Sequence, residues 1–240
     1  MYGNARPYPL HFLTPNSRYF PVSSILSKNQ THILSLLSDE KLVVGSFYLT
    51  GGTALAEFYL QHRLSEDLDF FSEHEFDPLF VSSTFKKLQD KAGIKKIEYE
   101  QSFNRNLFFL ELENDTIKTE FTYFPFTRIE SKKKFGNLFI DSLLDIAVNK
   151  VFTIYQKPRS RDFIDLYLIL EKEKFWNVDD LVGKAQIKFD TYMNPLQLAS
   201  QFVKAEVLKD YPTMITKIDE KEWQNFFMEK AKKLVESKLE

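Results

Sequence analysis

Cysteine is absent from the 240-residue sequence, which excludes disulfide bonds and thiolate chemistry and permits a reducing compartment. The sequence also lacks an uninterrupted apolar run of membrane-spanning length, and its N-terminus lacks the charged, apolar and small-residue layout of a signal peptide. We therefore expect a cytoplasmic protein that does not enter the membrane.

An excess of either charge is missing too, because 32 lysines and arginines are balanced by 34 aspartates and glutamates, for a net charge of −2. This balance argues against a protein that binds nucleic acid over its whole surface, since such proteins are strongly basic. Basic clusters remain at residues 132–134 and 157–161, and for both we favour solvated loops over local binding patches.

Glycine is rare, with 7 residues against 24 phenylalanines and 11 tyrosines, so we expect an aromatic-rich interior and few loops. The hydrophobic share of 43% and the charged share of 28% are ordinary for a soluble protein. Together with the length they fit one large domain, or two small ones, with a real core.

Two of the glycines, Gly51 and Gly52, are adjacent in the stretch TGGTALAEFYLQHRLSEDLDFF, around which the chain is organised. Residues 47–49 predict the end of a buried strand, which the glycine pair breaks with a tight turn. Thr53 fits the N-cap of the short buried helix that follows. The amides and the positive dipole end at such a helix start can receive phosphate oxygens.

The second half of this stretch, residues 66–71, predicts a strand in which Asp67 and Asp69 share one face. Two residues of strand advance roughly 6.6 Å. That spacing lets two carboxylates reach a pair of Mg²⁺ ions, which lie roughly 3.5–4 Å apart in two-metal sites and prefer oxygen ligands. An Asp-x-Asp pair alone is more often a solvated strand face, and its combination with the glycine-helix start is what favours a metal site.

The same residues carry a resemblance to a known family. The segments GGTAL and HRLSEDLDFF are similar to those of the AbiEii/AbiGii-type toxins of bacterial abortive-infection and toxin–antitoxin systems, members of the DNA polymerase beta-like nucleotidyltransferase superfamily. The resemblance implies an α+β fold, in which a mixed-sheet, polymerase beta-like nucleotidyltransferase domain is followed by a helical region. The matching positions are Gly51, Gly52, His62, Arg63, Ser65, Asp67 and Asp69.

Further along the chain, Asp77-Pro78 predicts the start of a helix and Gly93 its end. Strand-like runs follow, and Asn114-Asp115 is expected to form the hairpin turn between the last two of them. These runs cover residues 94–103, 106–113 and 116–125.

The last of these runs, IKTEFTYF, places Lys118, Glu120 and Thr122 on one face by alternation. Glu120 is therefore a candidate third carboxylate, and the resemblance implies that such a residue on a neighbouring strand completes the metal site. The glutamate departs from the aspartate usual at that position, which keeps the charge and lengthens the arm. The alternative is a cross-strand salt bridge between Glu120 and a lysine.

A helix is predicted over residues 141–155, with Asp141 as its cap and Lys150 beside its buried stripe. The sequence alone makes Lys150 a surface lysine, whereas the resemblance assigns it to the nucleotide phosphates. In the next helix, Asp162 and Asp165 are three residues apart and share a face. The resemblance implies that this Arg-Asp-x-x-Asp element, which starts at Arg161, lies near the catalytic strands.

Beyond about Lys172 the pattern predicts helices alone, whose apolar stripes favour packing against the first half. We expect residues 1–140 to form a nucleotidyltransferase-like α/β domain, with an irregular arm over residues 1–21. Residues 141–240 are expected to form a helical region that completes the site. The expected helices beyond Lys172 cover residues 179–189, 195–209 and 219–238.

Together, the residues and the resemblance predict a nucleotidyltransferase that transfers a nucleoside monophosphate from a nucleoside triphosphate to an acceptor hydroxyl on tRNA or protein, with Mg²⁺ or Mn²⁺. The resemblance also implies a toxin of a toxin–antitoxin or abortive-infection system, restrained by a cognate antitoxin. The expected metal ligands are Asp67, Asp69 and Glu120. The expected nucleotide contacts are Gly51, Gly52, Thr53, Arg63, Ser65, Lys150 and Arg161, and the catalytic set joins Lys150, Asp162 and Asp165 to the metal ligands.

Three other classes stay open. A metal-dependent phosphoesterase would use the same carboxylates but would not need a glycine-helix grip on a triphosphate. A catalytically inactive protein of the same fold would bind a nucleotide or a partner without turnover. A sugar transferase with an Asp-x-Asp motif is more distant, because the motif here follows a glycine-helix start rather than a nucleotide-sugar domain.

Overall fold

The computed structural model describes residues 24–131 and 133–236. The arm expected over residues 1–21 and Lys132 of the first basic cluster lie outside these ranges. Within the described ranges, no helix combines the length and the apolar character that crossing a membrane requires.

The described strands form one mixed sheet. They are β1 (Tyr48–Thr50), β2 (Leu68–Ser72), β3 (Lys96–Ser102), β4 (Arg105–Glu111), β5 (Thr116–Tyr123), β6 (Lys133–Phe135) and β7 (Leu138–Ile140). Their order across the sheet is β3-β4-β5-β2-β1-β7-β6. Strand β2 is antiparallel to β1 and parallel to β5, so the two central pairings differ in direction.

Helices pack on this sheet and make up most of the chain after it. The mixed sheet and these helices confirm the expected α+β class. The helices are α1 (Lys28–Ser38), α2 (Lys41–Ser46), α3 (Gly51–Leu55), α4 (Pro78–Ala92), α5 (Leu143–Gln156), α6 (Ser160–Lys172), α7 (Val178–Lys188), α8 (Pro195–Val203) and α9 (Glu220–Glu236), with a π-helical turn at Ala56–Leu60 and a 3-10 turn at Lys204–Glu206.

The helix after the glycine pair begins earlier than the sequence predicts. Thr50 takes the N-cap position of α3 and Thr53 lies inside the helix, so the prediction of Thr53 as the cap is wrong. Gly51 has a φ of 71°, in the left-handed region that glycine adopts without strain. The chain therefore turns directly from β1 into α3, and no intervening cap residue is needed.

Local sequence explains the bounds of α4 and corrects the start of α5. Asp77 caps α4 by accepting from the Leu79 amide at 2.8 Å, and Gly93 ends the helix with a left-handed φ, as predicted. The predicted cap Asp141 of α5 is wrong, because Ser142 accepts from the Asp145 amide at 2.9 Å. Asp141 lies one residue earlier, buried next to the end of β1.

The hairpin formed by β6 and β7 has no counterpart in the prediction. Each strand has three residues, and the turn between them contains Gly136, which has a φ of 60°. Runs this short carry almost no alternation, and the lysines of β6 suggested a solvated loop. Strand β7 matters nonetheless, because it extends the sheet in parallel beside β1 and leads into Asp141.

Phenylalanine rings fill the space between the sheet and α4, and Phe121 of β5 is at their centre. Its ring centroid lies 4.8 Å from that of Phe70, 5.0 Å from Phe47, and 6.0 Å from both Phe85 and Phe108. Burying each such ring contributes about 1.5–3 kcal/mol. The expected aromatic-rich interior is confirmed.

The helices after α5 pack through a second aromatic group. Phe227 of α9 lies 4.8 Å from Phe163 of α6 and 5.3 Å from Phe202 of α8, measured between ring centroids. The prediction of helices alone is incomplete, because Met214 in the link between α8 and α9 pairs as a β-bridge with Arg63. Buried residues of the sheet and of these helices belong to one continuous hydrophobic cluster.

Candidate active site

A cavity of about 310 Å³ lies where β1 leads into α3, between the sheet and the helices α5 and α6. Residues of both halves of the chain line it. The lining includes most of the predicted site residues, namely Gly51, Gly52, Arg63, Ser65, Asp67, Asp69, Glu120, Lys150, Arg161 and Asp162.

Three carboxylates lie at the sheet side of this cavity. Asp69 of β2 and Glu120 of β5 occupy paired positions of the two parallel strands. Asp67 directly precedes β2 and is half-buried like Asp69, while Leu68 between them is fully buried, which confirms the predicted alternation. Asp69 therefore faces Glu120 across one strand spacing, about 4.8 Å, and Asp67 lies two residues before Asp69 on the same face.

Basic side chains pair with two of these carboxylates. The Lys118 ammonium lies 2.8 Å from Asp67 Oδ2. The Arg105 guanidinium contacts both oxygens of Glu120, with Nε 2.7 Å from Oε1. The alternative considered for Glu120, a cross-strand salt bridge, is therefore present, with an arginine in place of the expected lysine.

Asp69 is a weaker acid than an ordinary aspartate. Burial, followed by the charges of Glu120 and Asp67, raises the pKa of Asp69 to about 7, although Lys118 and Arg161 act in the opposite direction. Like charges this close disfavour full ionisation, and a divalent cation between them would remove that penalty.

The glycine pair closes the cavity next to the carboxylates. A Cβ atom at Gly51 would collide with the Asp69 carboxylate, and one at Gly52 would collide with the Arg63 guanidinium. No side chain could be added at either position without a shift of these groups. The backbone of α3 therefore lies directly against the charged groups of the site.

Thr53 and Ser65 connect α3 to the segment before β2. The Thr53 hydroxyl donates to the Asp67 carbonyl and lies 2.8 Å from the Ser65 hydroxyl. Thr53 has no exposed surface and is not among the residues that line the cavity, so neither its side chain nor its backbone amide is open to a ligand. Its side chain instead fixes the position of Asp67.

A buried ion network joins α6 to the segment after α3. Asp165 accepts from Arg63 Nε at 2.7 Å and Nη2 at 2.8 Å, and from His62 Nε2 at 2.7 Å. Its carboxylate also lies 2.8 Å from the Lys150 ammonium. Burial opposes ionisation, but Lys150 and Arg63 hold the pKa of Asp165 well below its usual range. Asp165 is fully buried, so it orients these cations rather than reaching a ligand directly.

Lys150 departs from the surface position that its sequence context predicts. Its side chain is almost fully buried, and its ammonium lies 2.7 Å from Asp162 as well as close to Asp165. Burial alone would lower the pKa of Lys150, yet the two carboxylates raise it, so the side chain stays charged. Because Lys150 and Asp162 both line the cavity, the predicted Arg-Asp-x-x-Asp element does lie near the strands.

Arg161 differs from the other cations of the site. It lines the cavity, and within the described ranges its side chain makes no hydrogen bond or ion pair. Its charge nevertheless lowers the pKa of Asp69. Arg161 is thus a cation available to an anionic ligand.

The donor set fits a hard divalent cation, because it consists of carboxylate oxygens. In the part of the chain that the structure describes, however, no three acidic or histidine side chains are close enough together to hold a metal ion. Asp67 and Glu120 are instead turned toward Lys118 and Arg105. Asp69 and Glu120 nevertheless occupy paired positions of β2 and β5, one strand spacing apart.

Sequence reasoning missed Arg105 and the apolar wall of the cavity. Arg105 of β4 is paired with Thr122 and lies diagonal to Glu120, so the register of the predicted hairpin could have revealed it. The apolar wall had no such signal, because its rings come from distant segments. It comprises Phe71, Phe124, Ile146, Phe152 and Phe189.

Comparison with known families decides the class of the protein. The model described as "Nucleotidyl transferase AbiEii toxin, Type IV TA system" matches residues 36–236. The chain belongs to this AbiEii family. Membership supports an enzyme of the nucleotidyltransferase class and confirms the resemblance seen in the sequence.

This member of the AbiEii family is similar to several known proteins. It is 29% identical over 203 residues to the uncharacterized protein aq_aa25 of Aquifex aeolicus (strain VF5), which covers 81% of this chain and 91% of that protein. The crystal structure of JHP933 from Helicobacter pylori matches with a TM-score of 0.55 and 20% identity, over 88% of this chain and 90% of that one. A second H. pylori structure, with a proposed nucleotidyltransferase activity, matches with a TM-score of 0.57 and 19% identity, over 90% and 99%. These structural likenesses support the fold.

Proposed function

We propose that the protein transfers a nucleoside monophosphate from a nucleoside triphosphate to an acceptor hydroxyl, with Mg²⁺ or Mn²⁺ as the metal. One observation carries the proposal: the cavity combines the paired carboxylates of β2 and β5 with the glycine-helix start. A phosphoesterase would have no use for the second feature. Both features are expected where a triphosphate is held in line with an attacking hydroxyl.

Asp67, Asp69 and Glu120 would hold the divalent cations, after Asp67 and Glu120 release their basic partners. Bound there, the cations would lower the pKa of the acceptor hydroxyl and offset charge on the leaving pyrophosphate. Asp69 lies between Asp67 and Glu120. Burial and the negative charges of these two neighbours raise the pKa of Asp69. Metal binding would ionise it fully.

The triphosphate would lie against the backbone of Gly51 and Gly52, where the free amides at the start of α3 can donate to its oxygens. Ser65 lines the cavity next to them and offers a hydroxyl. Arg161 would contact the phosphates directly, since no described partner holds its guanidinium. Lys150, although paired with Asp162, adds a fixed positive charge to the same wall.

The remaining predicted residues would act through their neighbours. Arg63 is buried and held by Asp165, so it would support Gly52 and the cavity wall rather than move to a ligand. Asp162 and Asp165 would keep Lys150 oriented. Thr53 would hold Asp67 in position through its hydroxyl.

The nucleoside would lie along the apolar wall. Phe152 and Phe189 stack with ring centroids 3.9 Å apart and an interplanar angle of 12°. Base stacking on aromatic side chains is worth about 1–3 kcal/mol per base. A base placed there would lie between the sheet and the helical region.

The two proposed domains would supply different groups of the site. Residues 1–140 would supply the metal ligands and the glycine-helix start. Residues 141–240 would supply Lys150, Arg161 and much of the nucleoside wall. We further propose a cytoplasmic toxin that modifies tRNA or a protein and is restrained by a cognate antitoxin, in keeping with the family.

Transfer of a labelled nucleotide tests the proposal. The purified protein is incubated with Mg²⁺, total cellular RNA and protein, and each α-³²P nucleoside triphosphate in turn. We expect label in a discrete RNA or protein band, and loss of about a thousandfold or more in Asp67→Asn/Asp69→Asn. The matched control is Glu171→Gln, which alters an exposed ion pair on α6 and should label like the wild type. Equal labelling by the double variant would refute the metal assignment.

A further inference from the structure

Two basic side chains each form an ion pair with one carboxylate of the cavity. Arg105 reaches from β4 and contacts both oxygens of Glu120. Lys118 on β5 donates to Asp67 at 2.8 Å. Asp69 between them has no ion pair within the described ranges. Each cation therefore occupies an outer carboxylate of a cluster whose oxygens suit a divalent metal.

These two pairs differ from the structural ion pairs of the protein. The Arg63–Asp165 pair is fully buried, with side-chain exposures of 2% and 0%. Arg105 is 49% exposed against 8% for Glu120, and Lys118 and Asp67 are each 29% exposed. Because water reaches the cation of each pair, these pairs can open at a lower desolvation cost than the fully buried pair. Arg105 and Lys118 both line the cavity, so neither would have to cross the interior when released.

We infer that Arg105 and Lys118 are exchangeable cations, which leave Glu120 and Asp67 when a divalent metal binds and then hold phosphate oxygens of the incoming triphosphate. The inference rests on the proposed function, because it takes the metal and the triphosphate as the ligands of this cavity. It assigns a role to Arg105, and it makes the two ion pairs part of the binding equilibrium.

Linkage follows from this exchange. A metal that binds alone must displace both side chains from their carboxylates, so its affinity is reduced. When a triphosphate is present, the displaced guanidinium and ammonium gain phosphate partners, and arginine binds phosphate well through its planar fork. Metal and triphosphate therefore increase each other's affinity by the same factor.

Binding of Mn²⁺ alone tests the first half. The EPR signal of free Mn²⁺ is followed during titration of wild type, Arg105→Gln and Arg105→Lys. We expect Arg105→Gln to bind Mn²⁺ about tenfold more tightly, because one charged pair no longer has to be broken. Arg105→Lys, which keeps the charge and loses the fork, should lie between the two. Lys95→Gln is the matched control, since it removes an exposed ion pair near the same sheet edge and should change nothing.

The coupling between ligands tests the second half. The affinity for a non-hydrolysable α,β-methylene triphosphate is measured calorimetrically with and without Mn²⁺. We expect the factor by which Mn²⁺ strengthens analogue binding to fall about tenfold in Arg105→Gln and to recover in part in Arg105→Lys.

The opposite results overturn the inference. Unchanged or weaker Mn²⁺ binding by Arg105→Gln would show that Arg105 does not compete with the metal, and an unchanged coupling factor would show that it does not pass to the phosphates. Neither measurement requires turnover. If the binding measurements show the exchange but the wild type yields no labelled product, the proposed function is refuted while the exchange stays supported.

Discussion

Single residues determine how closely the backbone approaches the charged groups of the site, and Gly51 and Gly52 show this best. A side chain at Gly51 would occupy the place of the Asp69 carboxylate, and one at Gly52 that of the Arg63 guanidinium. The φ of Gly51 adds a second constraint, because other residues are strained there. Both the backbone path and the free space depend on the missing side chains.

Gly51→Ala should therefore lose both stability and activity. We expect about 1–2 kcal/mol of destabilisation, since a residue with a Cβ is strained at the native φ, and at least about a tenfold lower transfer rate from displacement of Asp69. Urea unfolding and the labelling assay measure the two effects. Gly45→Ala in α2, where nothing lies within 4 Å of the new Cβ, is the matched control and should keep both properties.

Asp165→Asn should be far more destabilising than a surface change on the same helix. It leaves the Arg63 charge buried without its counter-charge and removes one of the two carboxylates that pair with Lys150, and breaking a buried pair in this way costs about 3–5 kcal/mol. Glu171→Gln, which alters an exposed pair on α6, should cost less than about 0.5 kcal/mol. Similar midpoints of urea unfolding for both variants would contradict the assigned network.

Most residues that the sequence predicts for the site line the cavity, and motif order and alternation are what predicted them. Asp67, Asp69 and Glu120 share strand faces that a period of two predicts. The sequence could not predict that Lys150 is buried, because a lysine beside an apolar stripe is normally exposed and its partners Asp162 and Asp165 lie on another helix. Burial of a charge depends on tertiary partners.

At the scale of elements, the site is built from the contact of β1, β2 and β5 with α3 and α5. The central strand β2 is bounded by partners of opposite direction, which places Asp69 opposite both Thr50 and Glu120. Strand β7 extends the same arrangement beside β1 and leads into Asp141. The Asp141 carboxylate accepts from the Thr50 hydroxyl at 2.6 Å, so the ends of β1 and β7 are tied together.

Asp141 makes stability depend on pH in a defined direction. Burial raises the pKa of Asp141 from 3.8 to about 7, against opposing effects of the Thr50 hydroxyl, Lys188 and Arg128. Between these values the folded protein keeps a proton that the unfolded chain releases. The contribution of Asp141 to stability is therefore full below about pH 4 and is lost as the pH rises to about 7.

Asp141→Asn should remove this dependence. The free energy of unfolding of the variant, relative to wild type, should rise by about 4 kcal/mol between pH 4 and pH 8, because the amide cannot ionise. Urea unfolding at several pH values measures the difference. Parallel curves for the two proteins would show that Asp141 ionises normally in the fold.

Long elements were predictable and short ones were not. Helix α4 has an aspartate cap, a proline at its first position and a terminal glycine, and its bounds follow directly. The hairpin of β6 and β7 carries too little pattern to be seen, and its pairing with β1 is a long-range contact. The prediction of the α5 cap failed because Asp141 and Ser142 are both good cap residues. Asp141 is buried beside β1, and Ser142 is the cap.

At the scale of the whole molecule, the cavity exists because the helical region packs on the sheet. The carboxylates and the glycine-helix start come from the first half, whereas Lys150, Arg161 and Phe189 come from the second. The family match over residues 36–236 includes both halves. The sequence predicted the order of sheet and helices, but the aromatic wall arises from packing between segments far apart in the chain, which periodicity does not encode.

The central claim, nucleotidyl transfer, is tested most directly by comparing α-³²P with γ-³²P label in the same nucleoside triphosphate. The protein is incubated with Mg²⁺, cellular RNA and protein, beside Asp67→Asn/Asp69→Asn. Transfer of a nucleoside monophosphate requires that the α label enter an acceptor band and the γ label leave as pyrophosphate, with wild type alone. Incorporation of the γ label, release of both labels as free phosphates, or equal incorporation by the double variant would contradict the account.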